Sequence, residues 1–168
     1  MAMAAACTGS AEGAGIGVAT DFNIRRIPEA ERVQAPPIDG EMLAGETVAA
    51  ADLAGSLVVI NFWGSWCGPC RREQPLLEAG WQRLGPEVRF VGVNTRRDQR
   101  AAALAFLEEF SVTYPSIYDP SSELANEFGV RFMPATFVLD RQGRIAAEVI
   151  GALRTEAELV DVLEDLAR

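Results

Sequence analysis

Apolar positions fall in two rhythms along this chain. Residues 57–63, LVVINFW, are apolar throughout except for Asn61. A run of that kind predicts a strand covered on both faces. After Cys67 the rhythm changes. Leu77, Trp81 and Leu84 recur at helical spacing, which predicts a helix with one buried face, kinked or delayed by Pro75. EVRFVGVN (87–94) predicts a second strand, parallel to the first across the helix. DQRAAALAFLEEF (98–110) predicts a helix with Asp98 as its N-cap, and YPSIYD (114–119) a short strand. DPSSELANEFG (119–129) predicts a short helix with Asp119 as N-cap, Pro120 at its first position and Gly129 past its end. ATFVLDRQGRIAAEVIG predicts a hairpin around Gln142–Gly143. A last helix opens on a Thr155/Glu158 capping box and buries Leu159, Val162, Leu163 and Leu166. Before all of these, DGEMLAGETVAA predicts a small hairpin. The sum is one α/β domain, a mixed sheet with helices on both faces.

That domain is expected over residues 36–168. Residues 1–35 are rich in Ala, Gly, Glu and Pro and show little periodicity, so they are expected to form a flexible tether. No run approaches the roughly 20 apolar residues of a membrane span. The chain has no histidine and no lysine; its 15 basic residues are all arginine. This excludes Ser-His and Cys-His catalysis, Schiff-base lysines, the lysine of a phosphate loop and imidazole-ligated zinc. A net charge of −9 and the absence of a basic stripe exclude a nucleic-acid binder.

Three cysteines remain: Cys7, Cys67 and Cys70. Cys67 and Cys70, in CGPC, stand at the predicted start of the helix that follows the buried strand. Unpaired N–H groups and the helix dipole stabilise a thiolate there. A lowered pKa would make Cys67 the nucleophile that attacks a disulfide, and Cys70 the thiol that resolves the mixed disulfide. Gly68 lets a substrate approach, and Pro69 costs nothing at an early helical position. Zinc needs four ligands, which this chain lacks. A structural staple between residues three apart would remove little chain entropy.

FWGSWCGPC after a strand, with Met133–Thr136 (MPAT) before a hairpin and final helix, resembles the thioredoxin superfamily. The N-terminal hairpin, the helix-strand insertion over Asp98–Asp119 and Glu73 are similar to the TlpA/ResA-type exported thiol-disulfide oxidoreductases, with an AhpC/TSA-redoxin-like domain. The resemblance covers about residues 36–168. It implies a thioredoxin-like three-layer sandwich and a cis Pro134 facing the cysteines. It also implies that the Met133 backbone pairs with an extended substrate. Glu73, three residues past Cys70, would be buried and would carry a proton for it. Thioredoxin proper has a buried Asp where this chain has Asn61, which cannot titrate. Trp66 would form part of an apolar lip beside Cys67, and Trp63 would pack in the core.

The same resemblance implies a monomeric enzyme without cofactor or metal that reduces exported protein disulfides, apocytochrome c among the candidates. A membrane electron donor of the CcdA/DsbD type would recharge it. Cys7, in AAAC ahead of a small-residue linker, is the candidate for lipid attachment, although the basic and apolar leader segments of a lipoprotein signal are missing. The expected location is therefore extracytoplasmic, at the outer face of the bacterial membrane. Two other readings stay open: an oxidant of folding proteins, against which the Gly-Pro dipeptide argues, and a redox-inert module that binds proteins through the Pro134 groove.

Overall fold

A computed structural model describes residues 24–168. Cys7 and the rest of the first 23 residues lie outside the described residues.

The buried run forms β4 (Leu57–Trp63), and all seven of its residues are buried. It has neighbours on both sides: β5 (Val88–Thr95) runs parallel to it and β7 (Ala135–Leu139) antiparallel. Beyond β5 lies parallel β6 (Ser116–Asp119), and beyond β7 lie β8 (Ile145–Ile150) and β1 (Ile24–Arg26), giving the order β1-β8-β7-β4-β5-β6. A second, two-stranded sheet is the predicted small hairpin, β2 (Gly40–Glu41) with β3 (Thr47–Val48). It is tied to β6 by Leu43 N–H donating to Ser116 O at 2.8 Å.

Alternation along β4 divides the core. Val58, Ile60 and Phe62 face a cluster with Leu53 of α1 (Ala50–Leu53) and Leu124, Ala125 and Phe128 of the α4 region (Glu123–Glu127 and its C-cap). Leu57 and Val59 face the opposite layer, built by Leu77 of α2 (Gly68–Leu84) and Leu159, Val162 and Leu163 of α5 (Glu156–Ala167). Leu77 is fully buried, which contributes about 1.5–3 kcal/mol. Trp81 and Leu84 cover the rim of that cluster, so the predicted helix face is the observed one. Helix α2 runs through Pro75 without interruption. Trp63, at the C-terminal end of β4, stacks on Phe106 of α3 (Arg100–Glu109) with ring centroids 4.5 Å apart. Gly92 of β5 lets the Trp63 ring and Ser116 close in on the sheet, since a Cβ there would collide with both.

Three boundaries differ from expectation. Residues 24–35, expected to belong to the tether, are part of the folded domain. β1 pairs with β8, Ile27 is buried, Ala35 N–H bonds Gly143 O at 3.0 Å, and Arg32 pairs with Asp140 at 3.3 Å. This edge is held by backbone pairing and ion pairs rather than by a hydrophobic pattern, so periodicity does not reveal it. Asp98 is not the N-cap of α3. Gln99 occupies that position without a side-chain bond, and the Asp98 carboxylate turns elsewhere. Asp119 does bond the Glu123 and Ala125 N–H groups, but from further back: Ser122 is the N-cap and Pro120 lies before the helix. Thr155 caps α5 as expected, accepting from Glu158 N–H at 3.4 Å, while the Glu158 carboxylate returns to Arg154 rather than to Thr155.

Candidate active site

Cys67 is the N-cap of α2, with Gly68 and Pro69 opening the helix and Cys70 one turn in. The two cysteines form a disulfide, with Cα atoms 5.2 Å apart. Cys70 N–H donates to Cys67 Sγ at 3.2 Å, the bond by which a helix N-terminus stabilises a thiolate. Cys70 is more deeply covered than Cys67, at 1 % against 4 % exposed. Both cysteines belong to a buried cluster with Trp63, Ala103 and Phe106, against which Met133 packs. The Met133–Pro134 peptide is cis, and Pro134 O accepts from Gly151 N–H at 2.9 Å. The strand β7 therefore delivers Met133 to the disulfide.

Beneath the couple lies Glu73, fully buried on the covered face of α2. Its Oε1 accepts from Asn61 Nδ2 at 2.8 Å and its Oε2 from Leu153 N–H at 2.9 Å. Asn61 Nδ2 also donates to Thr136 Oγ1 at 3.0 Å, while Asn61 Oδ1 has no partner. Burial pushes the Glu73 carboxyl up to about 7, against the pull of those two hydrogen bonds. It is thus a carboxyl that changes charge near neutral pH, inside the protein, at i+3 from Cys70. The adjacent buried Gln74 donates to Tyr114 Oη at 2.6 Å, and burial raises that phenol above its ordinary range.

The loop before Cys67 is clamped. Asp98, 5 % exposed, accepts from Ser65 N–H at 2.6 Å, Ser65 Oγ at 2.7 Å and Asn94 Nδ2 at 2.8 Å. Arg71 reaches Ser65 O at 3.5 Å, pairs with Glu109, and lies over the Phe106 and Phe110 rings of the α3 region. Asp98→Ala leaves Ser65 N–H and Asn94 Nδ2 unpaired. It is expected to cost about 3 kcal/mol, read as a lower denaturant midpoint; a loss below about 0.5 kcal/mol would remove Asp98 from the clamp.

Trp66 is 61 % exposed beside Cys67, its indole lying over Gly64, where a Cβ would come within 3.1 Å of the ring. Phe132, next to Met133, is 73 % exposed. The structure thus gathers Cys67, Gly68, Pro69, Cys70, Glu73, Trp66, Met133 and Pro134 at one end of the sheet, and places Trp63 in the core. Sequence reasoning missed Phe132, whose apolar side chain directly before Met-Pro was the available signal. It also misassigned Asp98. Among the described residues no group of three or more His, Cys, Asp or Glu is placed to hold a metal ion, and no helix is long and apolar enough to cross a membrane.

A mixed sheet with a dithiol couple at a helix N-terminus and a cis-proline loop beside it defines a thioredoxin-like domain of the thiol-disulfide oxidoreductase class. The AhpC/TSA family model matches residues 32–148, and the chain belongs to that family. Among curated relatives, the thiol-disulfide oxidoreductase ResA of Geobacillus thermodenitrificans is 32 % identical over 117 residues, covering 68 % of this chain and 66 % of that protein. Among solved structures, a DsbF homologue from Corynebacterium diphtheriae matches with a TM-score of 0.80 at 35 % identity, over 88 % of this chain and 96 % of the other. A secreted thiol-disulfide isomerase from Corynebacterium glutamicum matches with a TM-score of 0.80 at 32 % identity, over 88 % and 93 %.

Proposed function

We propose that the protein is a reductase of disulfides in exported proteins. The observation that carries this reading is the pairing of Cys67 at the N-cap of α2 with a buried, near-neutral carboxyl, Glu73, behind Cys70. In the dithiol form the Cys67 thiolate attacks one sulfur of a substrate disulfide. A Cys67–substrate disulfide forms and the first substrate thiolate leaves. Cys70 then gives its proton to the Glu73 carboxylate and attacks Cys67 Sγ. The second substrate thiolate departs, the substrate is reduced by two electrons, and the Cys67–Cys70 disulfide is formed. Gly68 and Pro69 leave the approach to Cys67 open, Trp66 supplies an apolar lip, and the Met133 backbone pairs with an extended substrate segment.

The enzyme must be recharged by a dithiol donor, which we take to be a membrane protein of the CcdA/DsbD kind. Apocytochrome c is one candidate substrate. The extracytoplasmic location is supported by the secreted relative from C. glutamicum. Lipid attachment at Cys7 rests on the sequence pattern alone. The protein acts as a monomer in this reading.

The test is catalysis of insulin reduction by dithiothreitol. The protein is expected to accelerate precipitation of the insulin B chain at substoichiometric concentration. No acceleration would favour the redox-inert binding module instead.

A further inference from the structure

The chain carries net charge −9, yet three exposed arginines without an ion pair stand at its reactive end. Most of its arginines are engaged: Arg25, Arg32, Arg83, Arg100 and Arg144, for example, all form ion pairs. Among the described residues, Arg72, Arg89, Arg97, Arg131 and Arg141 have no ion pair or side-chain hydrogen bond, and all five are exposed. Arg89 is near the start of β5 and Arg141 is in the β7–β8 turn, at the end of the sheet away from the disulfide. The other three lie on segments at the disulfide end of the sheet.

Arg72 folds back over the first turn of α2, with Nη1 3.9 Å from the place a Cβ on Gly68 would take, one residue from Cys67. Arg97 follows β5, directly before the Asp98 that clamps Ser65. Arg131 stands two residues before Met133. The segments that carry Arg97 and Arg131 are tied together by the Arg96 guanidinium, which donates to Val130 O. Arg96 and Arg97 both adopt left-handed backbone, at φ +63° and +58°. That costs non-glycine residues about 1 kcal/mol or more each. The strain is sustained by Arg96 N–H on Ser122 Oγ and Arg97 N–H on Pro120 O, and the Arg97 side chain is exposed.

The acids near this end are committed to other partners. Asp98 and Asp119 are buried and saturated with donors, and Glu109 is paired with Arg71. Glu123 and Glu127 line a separate depression with Asp39 and Ile117, beyond β6.

We propose that Arg72, Arg97 and Arg131 form a cationic rim that selects protein partners whose reactive cystine lies in an acidic segment. This inference rests on the disulfide-reductase reading and names its substrate class. The unpaired guanidiniums attract carboxylates as the segment approaches, while the overall negative charge repels acidic proteins that present any other face. Exposed Trp66 and Phe132 supply apolar contact between the cations.

The test uses the reduced full chain and two cystine peptides of one sequence, flanked by Asp/Glu in one and by Lys in the other. The rates of disulfide exchange are followed by stopped flow. The acidic peptide is expected to react on the order of tenfold faster at low salt, with the ratio falling toward one in 1 M salt. In Arg72→Ser/Arg97→Ser/Arg131→Ser the ratio falls toward one at low salt as well. The ratio is internal to each protein, so partial unfolding of the variant would lower both rates together and not imitate this result. Equal rates for the two peptides, or a preference that survives in the triple variant, would overturn the rim while leaving the reductase reading intact. No exchange with either peptide would overturn both.

Discussion

Cys67→Ser is expected to abolish disulfide turnover, and Cys70→Ser to halt it one step later. The asymmetry follows from position. Cys67 holds the N-cap, where its sulfur receives the Cys70 N–H and the positive end of a 17-residue helix. Serine there cannot form a mixed disulfide, so the loss is complete within detection, 10³-fold or more on the scale of covalent catalysis. In Cys70→Ser the nucleophile remains but nothing resolves the intermediate. One equivalent of substrate should therefore accumulate as a covalent adduct visible by intact mass. Accumulation of the adduct in Cys67→Ser instead would exchange the two roles.

Glu73→Gln carries the second large effect, and its sign depends on pH. The Glu73 carboxyl is raised from 4.5 to about 7 by burial, outweighing the donors from Leu153 and Asn61. A folded-state pKa above the unfolded one means the folded chain holds a proton that the unfolded chain has released. The associated stability is full below about pH 4.5 and is lost as pH rises through about 7. At about 1.4 kcal/mol per pH unit over that interval, the loss is about 3 kcal/mol. Glutamine carries no charge to bury, so it has no such loss. Urea unfolding of the oxidised protein should thus show wild type weakening between pH 4.5 and 8.5. The variant should stay flat and be the more stable protein at pH 8.5. Kinetics should move the other way. With no carboxylate to take the Cys70 proton, decay of the mixed disulfide should slow about 100-fold near pH 7 and lose its inflection there. Parallel stability curves and an unchanged inflection would show that Glu73 does not titrate near neutrality.

Much of this site is legible in the sequence because it rests on local rules. The buried run 57–63, the helix face through Leu77 and the placement of Cys67 at a helix start all follow from periodicity and capping. The burial of Glu73 came from the family resemblance, since a glutamate between Arg72 and Gln74 reads locally as solvated. What periodicity does not show is long-range polar pairing. Asp98 reads as an N-cap because it precedes a helix by two residues. Its long-range partners, Ser65 and Asn94, come from the loop after β4 and the end of β5. The edge strand 24–26 is equally silent, since IRR has no alternation worth reading and owes its place to β8 and to the Arg25–Glu148 pair at 2.9 Å. The cationic rim depends on which arginines find partners, which only the folded chain decides.

In the proposed reading electrons flow from this protein to its substrates. The reduction potential of the Cys67–Cys70 couple, measured by equilibration in thiol-disulfide buffers, tests it most directly. The expected value is about −270 mV, where a dithiol reduces its targets and requires a donor. A value near about −120 mV would contradict it and make the protein a disulfide donor.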